Sequence, residues 1–144
     1  MDSKLGPKTD LCLQIMSVWH ELKLTILRLA NENDLTMQQT SLLWSLHQNG
    51  SIVMSGLAKR LQCDASNITG IVDRLEMRGL VDRTAVPEDR RAKQLDITPA
   101  GREIIDSMLA QLPGGLCFGG VSEGEIESAT TIMRRLTPAT GEDN

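Results

Sequence analysis

The segment 57–98 constrains the fold of this chain more than any other part. Its pattern of apolar and turn residues predicts a helix, a turn, a second helix, a strand, a basic loop and a second strand. Asp64 is a favourable N-cap for the second helix, and Gly79 stands where a C′ glycine would end it. This order of elements predicts a winged helix-turn-helix, a motif whose second helix enters the major groove of DNA.

The segment before this motif is predicted to form two helices. The first is expected from about Asp10 to Asn31 and is apolar on two of its faces, which is typical of a helix buried on two sides. In so short a chain, a second copy of the protein is a natural source of that extra cover. Thr36 with Gln39 forms a capping box that opens the second helix. Its core-facing residues are expected to be Thr40, Leu43, Trp44 and His47.

The remaining elements follow from equally local signals. Residues 51–53 are expected to form a short strand. Thr98, followed by proline, caps a helix that runs to about Leu112. Ser122 with Glu125 forms a second capping box, which opens the last helix.

Bulk properties exclude several classes of protein. A chain of 144 residues with 40% apolar residues is expected to form one domain, without a membrane span, in the cytoplasm. Three widely spaced cysteines, Cys12, Cys63 and Cys117, argue against a disulfide scaffold and against a zinc site. The net charge is −4, but residues 55–95 carry eight basic and six acidic residues, so an anionic partner is expected there.

Together these features resemble the MarR family of bacterial transcription regulators over nearly the whole chain. The most specific matches are Ile71-Val72-Asp73-Arg74-Leu75-Glu76, Arg78-Gly79-Leu80-Val81 with Arg83, Asp89-Arg90-Arg91, Leu95 and the Thr98–Gly101 pair. The resemblance implies a mainly α fold with a small β wing and no cofactor. It also implies an N-terminal dimerisation helix in 1–34, a DNA-binding domain in 35–98, and C-terminal dimerisation helices with a tail in 99–144.

The outward face of the motif's second helix is predicted to contact the major groove. The inward face is expected to consist of Ile68, Ile71, Val72 and Leu75. The outward face then consists of Ser66, Asn67, Thr69, Gly70 and Arg74. Asparagine can pair bidentately with adenine, whereas the alternative for Ser66 and Thr69 is plain solvation of the helix. Because related sequences often carry a larger, frequently basic residue in place of Gly70, base specificity is expected to rest more on Asn67 and Arg74.

The loop 87–91 is predicted to form the tip of the wing. The resemblance implies that an arginine from this loop enters the minor groove while an aspartate orients it, and Asp89 and Arg91 match that pair, with Arg90 between them. The alternative is an exposed ion pair, worth about 0–1 kcal/mol. Phosphate contacts are expected from four further residues, Lys59, Arg60, Arg83 and Lys93. Two copies in a homodimer would meet the half-sites of a palindromic duplex about one helical turn apart.

Two routes of release from DNA are open. Members of the family commonly release DNA when a small phenolic ligand binds between the dimer helices and the winged domain, or when a cysteine is oxidised. Candidate ligand residues are Met16, Trp19, His20, Trp44 and His47, for which core packing is the alternative. Cys12 is similar to the reactive cysteine of the organic-hydroperoxide-sensing branch, and Cys117 lies roughly where two-cysteine sensors keep their partner thiol. The chain lacks the tyrosines of that branch.

Two other classes of function are weighed against a DNA-binding repressor. Catalysis is not expected, because His20-Glu21 lacks the second histidine of a metalloprotease and the glycines of 114–124 do not form a phosphate-binding pattern. A winged helix used for protein–protein contact would leave Arg74 and Arg91 without a purpose. That alternative predicts that alanine at both positions spares function.

Overall fold

The computed structural model describes residues 6–61 and 65–137 as six α-helices, three strands and one 3₁₀ turn. The helices are α1 (Pro7–Glu32), α2 (Met37–Asn49), α3 (Met54–Leu61), α4 (Ala65–Met77), α5 (Pro99–Gln111) and α6 (Glu123–Leu136). The strands are β1 (Ile52–Val53), β2 (Val81–Val86) and β3 (Asp89–Ile97), and the 3₁₀ turn is Leu112–Gly115. The predicted fold class, mainly α with a small β wing, is confirmed.

Local signals placed most element boundaries correctly. The Thr36 hydroxyl accepts a hydrogen bond from the Gln39 amide at 3.2 Å, and the Gln39 side chain accepts one from the Thr36 amide at 2.9 Å. The capping box of Ser122 and Glu125 is also present, and its hydrogen bonds from the side chain and backbone of Ser122 lower the pKa of Glu125. Gly79 has a φ of 68°, as its place at C′ requires.

A few boundaries differ from the sequence prediction. α1 begins at Pro7 rather than at about Asp10, because proline is well suited to the first position of a helix. α5 ends at Gln111, one residue before the expected end, and the 3₁₀ turn follows it directly. The predicted N-cap, Asp64, lies outside the described residues.

One hydrophobic core joins α2, α3, α4, α5 and the sheet to the C-terminal end of α1. The inward face predicted for α4 is confirmed, because Ile68, Ile71, Val72 and Leu75 are all buried. The predicted core face of α2 was partly wrong. Thr40 and Leu43 are buried as expected, but Leu42 and Leu46 fill the centre of that face, and Trp44 and His47 lie at its half-buried edge.

The sheet has the strand order β1-β3-β2, and both pairings are antiparallel. Leu95, fully buried in the central strand β3, lies opposite Ile52 on one side and Arg83 on the other. β2 and β3 form a hairpin that extends beyond the core. This hairpin is the wing that the sequence predicted.

Two helices leave apolar side chains uncovered in the single chain. In α1, the buried residues are Thr25, Leu29 and Ala30, all in its C-terminal third. None of the residues of α6 is buried, although Ile126, Ile132 and Leu136 are large and apolar. Large apolar side chains that stay exposed along two helices are typical of a protein–protein contact.

Two absences apply to the described residues only. Across 6–61 and 65–137, every helix is too short or too polar to cross a bilayer. The same ranges hold no group of three or more histidine, cysteine or acidic side chains arranged to bind a metal ion.

Candidate DNA interface and effector cavity

The polar face of α4 lies away from the core. Asn67, Thr69 and Arg74 are exposed, and Gly70 is half-buried with open space where a Cβ would stand. Residues 67, 70 and 74 follow the three-to-four spacing of one helix face, so they present a common surface. Ser66 lies in the first turn of the same helix, but its side chain is outside the described part of the structure.

The wing tip is built by a tight turn and an irregular pairing. Val86 pairs with Asp89 across the turn, whereas Ala85 pairs with Lys93, so β3 carries extra residues at 90–92. The Asp89 carboxylate accepts a hydrogen bond from the backbone amide of Arg91 at 2.9 Å. The aspartate therefore fixes the backbone of the loop at Arg91, and its orienting of the guanidinium stays a prediction. The Arg91 side chain is exposed.

Arg83, predicted as a phosphate contact, is paired with two carboxylates of α4. Its guanidinium donates to Asp73, and its Nε lies 3.3 Å from Glu76 Oε2. The arginine side chain is 27% exposed, and its contact with a phosphate stays a prediction. The two ion pairs join β2 to α4 and neutralise two acids beside the polar face of α4.

Of the other predicted phosphate contacts, Lys93 is exposed on β3. Lys59 and Arg60 lie in α3 and Arg90 lies in β3, but their side chains are outside the described part of the structure. The described basic surface of the candidate interface thus consists of Arg74, Arg91 and Lys93.

A cavity of about 350 Å³ lies between α1, α2 and α5. Trp19 and Trp44, two of the five predicted ligand residues, line it. The rest of its wall is mainly aliphatic and includes Leu22, Ile26, Ile105 and Met108, with the hydroxyl residues Thr40 and Ser41. Its volume falls in the range of about 300–1,000 Å³ that is common for small-molecule sites. The α5 residues were not among the predicted ligand residues, although the i, i+3 spacing of Ile105 and Met108 marks one apolar face.

The other three predicted ligand residues lie elsewhere. Met16 and His20 border a separate, open depression on α1. The His47 ring stacks on Trp44, with 6.0 Å between ring centroids, and its Nε2 lies 2.8 Å from Asp106 Oδ1. His47 thus links α2 to α5 beside the cavity but does not line it.

Cys12 and Cys117 are both exposed, and both thiols are free. Cys12 lies near the start of α1, whereas Cys117 follows the 3₁₀ turn, which packs against Thr25 near the other end of that helix. The helix from Cys12 to Thr25 is about 20 Å long at 1.5 Å per residue. A disulfide requires Cα atoms within about 7 Å, so this placement disfavours a bond between the two cysteines of one chain.

Comparisons with known proteins agree with this architecture. The model of the MarR family matches residues 35–93. The transcriptional repressor MprA of Escherichia coli K12 is 31% identical over 130 residues, which are 89% of this chain and 73% of MprA. The HTH-type transcriptional repressor MdtR of Bacillus subtilis is 28% identical over 139 residues, 94% of this chain and 88% of MdtR. The crystal structure of MarR matches with a TM-score of 0.70 and 28% identity, covering 94% of this chain and 91% of that one.

Proposed function

Because this chain belongs to the MarR family of transcription regulators, we propose that it is a repressor that binds palindromic DNA as a homodimer and leaves it when an effector acts. Like its relatives, it is a DNA-binding regulator and not an enzyme. The observation that carries the proposal is the division of α4 into a buried apolar face and an exposed polar face, next to an arginine-bearing wing.

The uncovered apolar surfaces support the homodimer. The first two-thirds of α1 and the whole of α6 bury no residue in a single chain, so both helices need a further surface to pack on. These helices flank the winged domain at the two ends of the chain. A second copy that covered both would place its own winged domain beside the first, as two half-sites require.

On DNA, we assign α4 to the major groove and the wing to the minor groove. Asn67 and Arg74 read base edges, and Ser66 and Thr69 contact bases or phosphates. Gly70 lets the helix approach the groove without contributing a side chain. Arg91, on the backbone that Asp89 fixes, enters the minor groove with Arg90 beside it. Phosphate contacts come from Lys59, Arg60, Arg83 and Lys93.

The experiment that tests this function is selection of binding sites from random DNA, followed by titration of the selected duplex at several salt concentrations. We expect a palindrome with half-sites about one helical turn apart. The affinity of the protein for this duplex should fall by roughly a thousandfold between about 50 and about 200 mM salt. The reason is that log affinity falls with log salt by about 0.9 for each phosphate that the protein neutralises. The proposal would be contradicted if the protein is a monomer that binds no duplex, or if its affinity for the duplex does not change with salt concentration.

The cavity supports a small aromatic effector. Its apolar wall suits an aromatic ring, and the hydroxyl groups of Thr40 and Ser41 suit the polar group of a phenol. The cavity is bounded by α1 and α5, which belong to the predicted dimerisation regions, and by α2 of the winged domain. A ligand that binds more tightly to one arrangement of these helices would shift the population toward it, and thereby change the spacing of the two α4 helices.

Intrinsic fluorescence offers a direct test of that effector site. The chain contains two tryptophans, and both line the cavity. We expect phenol or benzoate to quench their emission with the same midpoint at which it releases the duplex. Ser41→Leu, which narrows the cavity and removes a hydroxyl, should weaken both effects and leave duplex binding intact. Release of DNA without quenching would place the effector elsewhere.

Oxidation of Cys12 is the second route of release. The exposure of Cys12 and Cys117 supports it, and their separation along α1 favours a disulfide between two copies over one within a chain. The same duplex assay, run with an organic hydroperoxide, separates the two routes. If the hydroperoxide releases the duplex from the parent but not from a Cys12→Ser, Cys117→Ser variant, the oxidation route is supported. Equal behaviour of the two proteins would rule that route out.

A further inference from the structure

We propose that Arg78 is a positioning residue that fixes α4 to α1 and thereby sets the half-site spacing that the dimer accepts. The inference rests on the proposed function, because spacing has a meaning only for two copies on one duplex. The contact on which it depends, however, lies within a single chain.

The guanidinium of Arg78 forms a two-pronged contact with the C-terminal end of α1. Its Nη1 donates to the carbonyl oxygen of Asp34 at 2.6 Å, and its Nη2 donates to the carbonyl oxygen of Asn33 at 2.8 Å. Two donors held in one rigid plane fix both the position and the orientation of the bound group. Because the contact joins residues 45 and 44 positions apart, it connects separate elements of the fold.

The end of α1 is a well-defined turn with carbonyl groups open to an outside donor. Asn33 is the C-cap, and Asp34 follows in the left-handed region at a φ of 54°. The amides of Asp34 and Leu35 donate back into the last turn of the helix at 3.1 and 2.9 Å. The last turn of α1 has no basic residue of its own, so the charge of Arg78 lies where the negative end of the helix dipole favours a cation.

The end of α4 is equally well fixed. Gly79, at a φ of 68°, donates to the Glu76 carbonyl at 2.9 Å, and Leu80 donates to the Leu75 carbonyl at 3.0 Å, which is the pairing of a Schellman motif. The hydroxyl of Thr98 also donates to the Gly79 carbonyl at 2.7 Å. Arg78 therefore joins two rigid helix ends, and movement of one is passed to the other.

Movement of α1 would reach α4 through this contact. Its exposed N-terminal part is the surface that a second copy would cover, whereas its C-terminal end, including Leu29 and Ala30, is buried in the core. α1 also forms one wall of the cavity through Trp19, Leu22 and Ile26. A tilt of α1, set by the partner copy or by a ligand, would therefore turn α4 relative to the duplex.

The test has a first arm that needs neither DNA nor the dimer. Spin labels are placed at cysteines introduced at the exposed positions Lys23 in α1 and Met77 in α4, in a background without the native cysteines. Labelled chains are diluted with unlabelled ones, and the distance between the two labels is measured. We expect one narrow distribution in the parent and a broad or divided one in Arg78→Met. Arg102→Met, which removes the same charge from the exposed face of α5, should match the parent.

The second arm measures spacing on DNA. The selected palindrome is lengthened or shortened by one or two base pairs between half-sites, and each duplex is titrated with the parent, Arg78→Met and Arg78→Lys. We expect the preference of the parent for its own spacing to fall roughly tenfold in Arg78→Met, as for the loss of hydrogen bonds to a charged group. Arg78→Lys keeps the positive charge but lacks the planar guanidinium with its two donors, so its spacing preference should be intermediate. A general loss of stability would weaken binding to all spacings alike.

The outcomes separate the inference from the function on which it rests. Equal label distances and equal spacing preferences in the parent and Arg78→Met would overturn the role of Arg78 while the function stands. A parent that binds no duplex would overturn the function, and the distance measurement would still decide whether Arg78 fixes α4. If circular dichroism shows Arg78→Met to be unfolded, Arg78→Lys carries both measurements, and parental behaviour of that variant in both overturns the inference.

Discussion

Replacing Arg74 and Arg91 together by alanine is expected to weaken binding to the selected duplex by more than about a hundredfold. Arg74 is exposed on the polar face of α4, and an arginine that reads a base contributes roughly 1–3 kcal/mol. Arg91 is exposed on the wing, where a narrow minor groove attracts a guanidinium. Because both changes occur in each half of a dimer, the losses are doubled. Fluorescence anisotropy of a labelled duplex, repeated over a range of salt, measures them.

A matched control removes two positive charges elsewhere. Arg28 and Arg102 are exposed on α1 and α5, and Arg28 forms a surface pair with Glu32 at 2.6 Å. Alanine at both positions should leave the affinity within a few-fold of the parent, because surface pairs of this kind contribute about 0–1 kcal/mol. Parental affinity in the Arg74, Arg91 variant would instead favour the alternative of a winged helix used for protein contact.

The substitution Gly101→Ala is expected to destabilise the fold by about 1–3 kcal/mol, as overpacking of a tight contact does. A Cβ at Gly101 would overlap the carbonyl oxygen of Leu80 and lie 2.9 Å from Ile97 Cγ1. The Leu80 carbonyl cannot move away freely, because it accepts the amide of Thr98 at 3.1 Å. This cost exceeds the gain of about 1 kcal/mol that alanine brings to a helix. Thermal unfolding at a fixed protein concentration should show a midpoint lower by roughly 4–10 °C.

Gly56→Ala in α3 is the control for that prediction. A Cβ at Gly56 would meet no atom within 4 Å, so only the helix propensity changes. We expect this variant to be more stable than the parent by up to about 1 kcal/mol. A Gly101→Ala protein as stable as Gly56→Ala would mean that α5 can shift away from the sheet without loss.

Those parts of the fold that depend on short-range signals were predictable from the sequence. Capping boxes at Thr36 and Ser122, the C′ glycine at 79 and the apolar stripe of α4 each involve residues within one or two turns of each other. The wing was predictable for a similar reason, since its two strands are adjacent in the chain and joined by a tight turn. The resemblance to the MarR family then supplied the arrangement of these elements.

Contacts between distant elements could not be predicted in the same way. Arg83 looks like a phosphate contact in the sequence, and its capture by Asp73 and Glu76 depends on how β2 lies against α4. The cavity shows the same limit. The chemistry of tryptophan and histidine marks them as ligand candidates in the sequence. Much of the wall, however, comes from aliphatic residues such as Ile26 and Ile105, whose role is set by where three helices leave a gap.

The absence of any buried residue in α6 has a consequence for the life of a newly made chain. A lone helix of this length is marginally stable in water, so α6 would be fully formed only when it packs on the proposed second copy. If the proposed dimer forms, the thermal stability of the protein is expected to rise with its concentration. A low concentration of the protein in the cell would then itself weaken repression of its target genes.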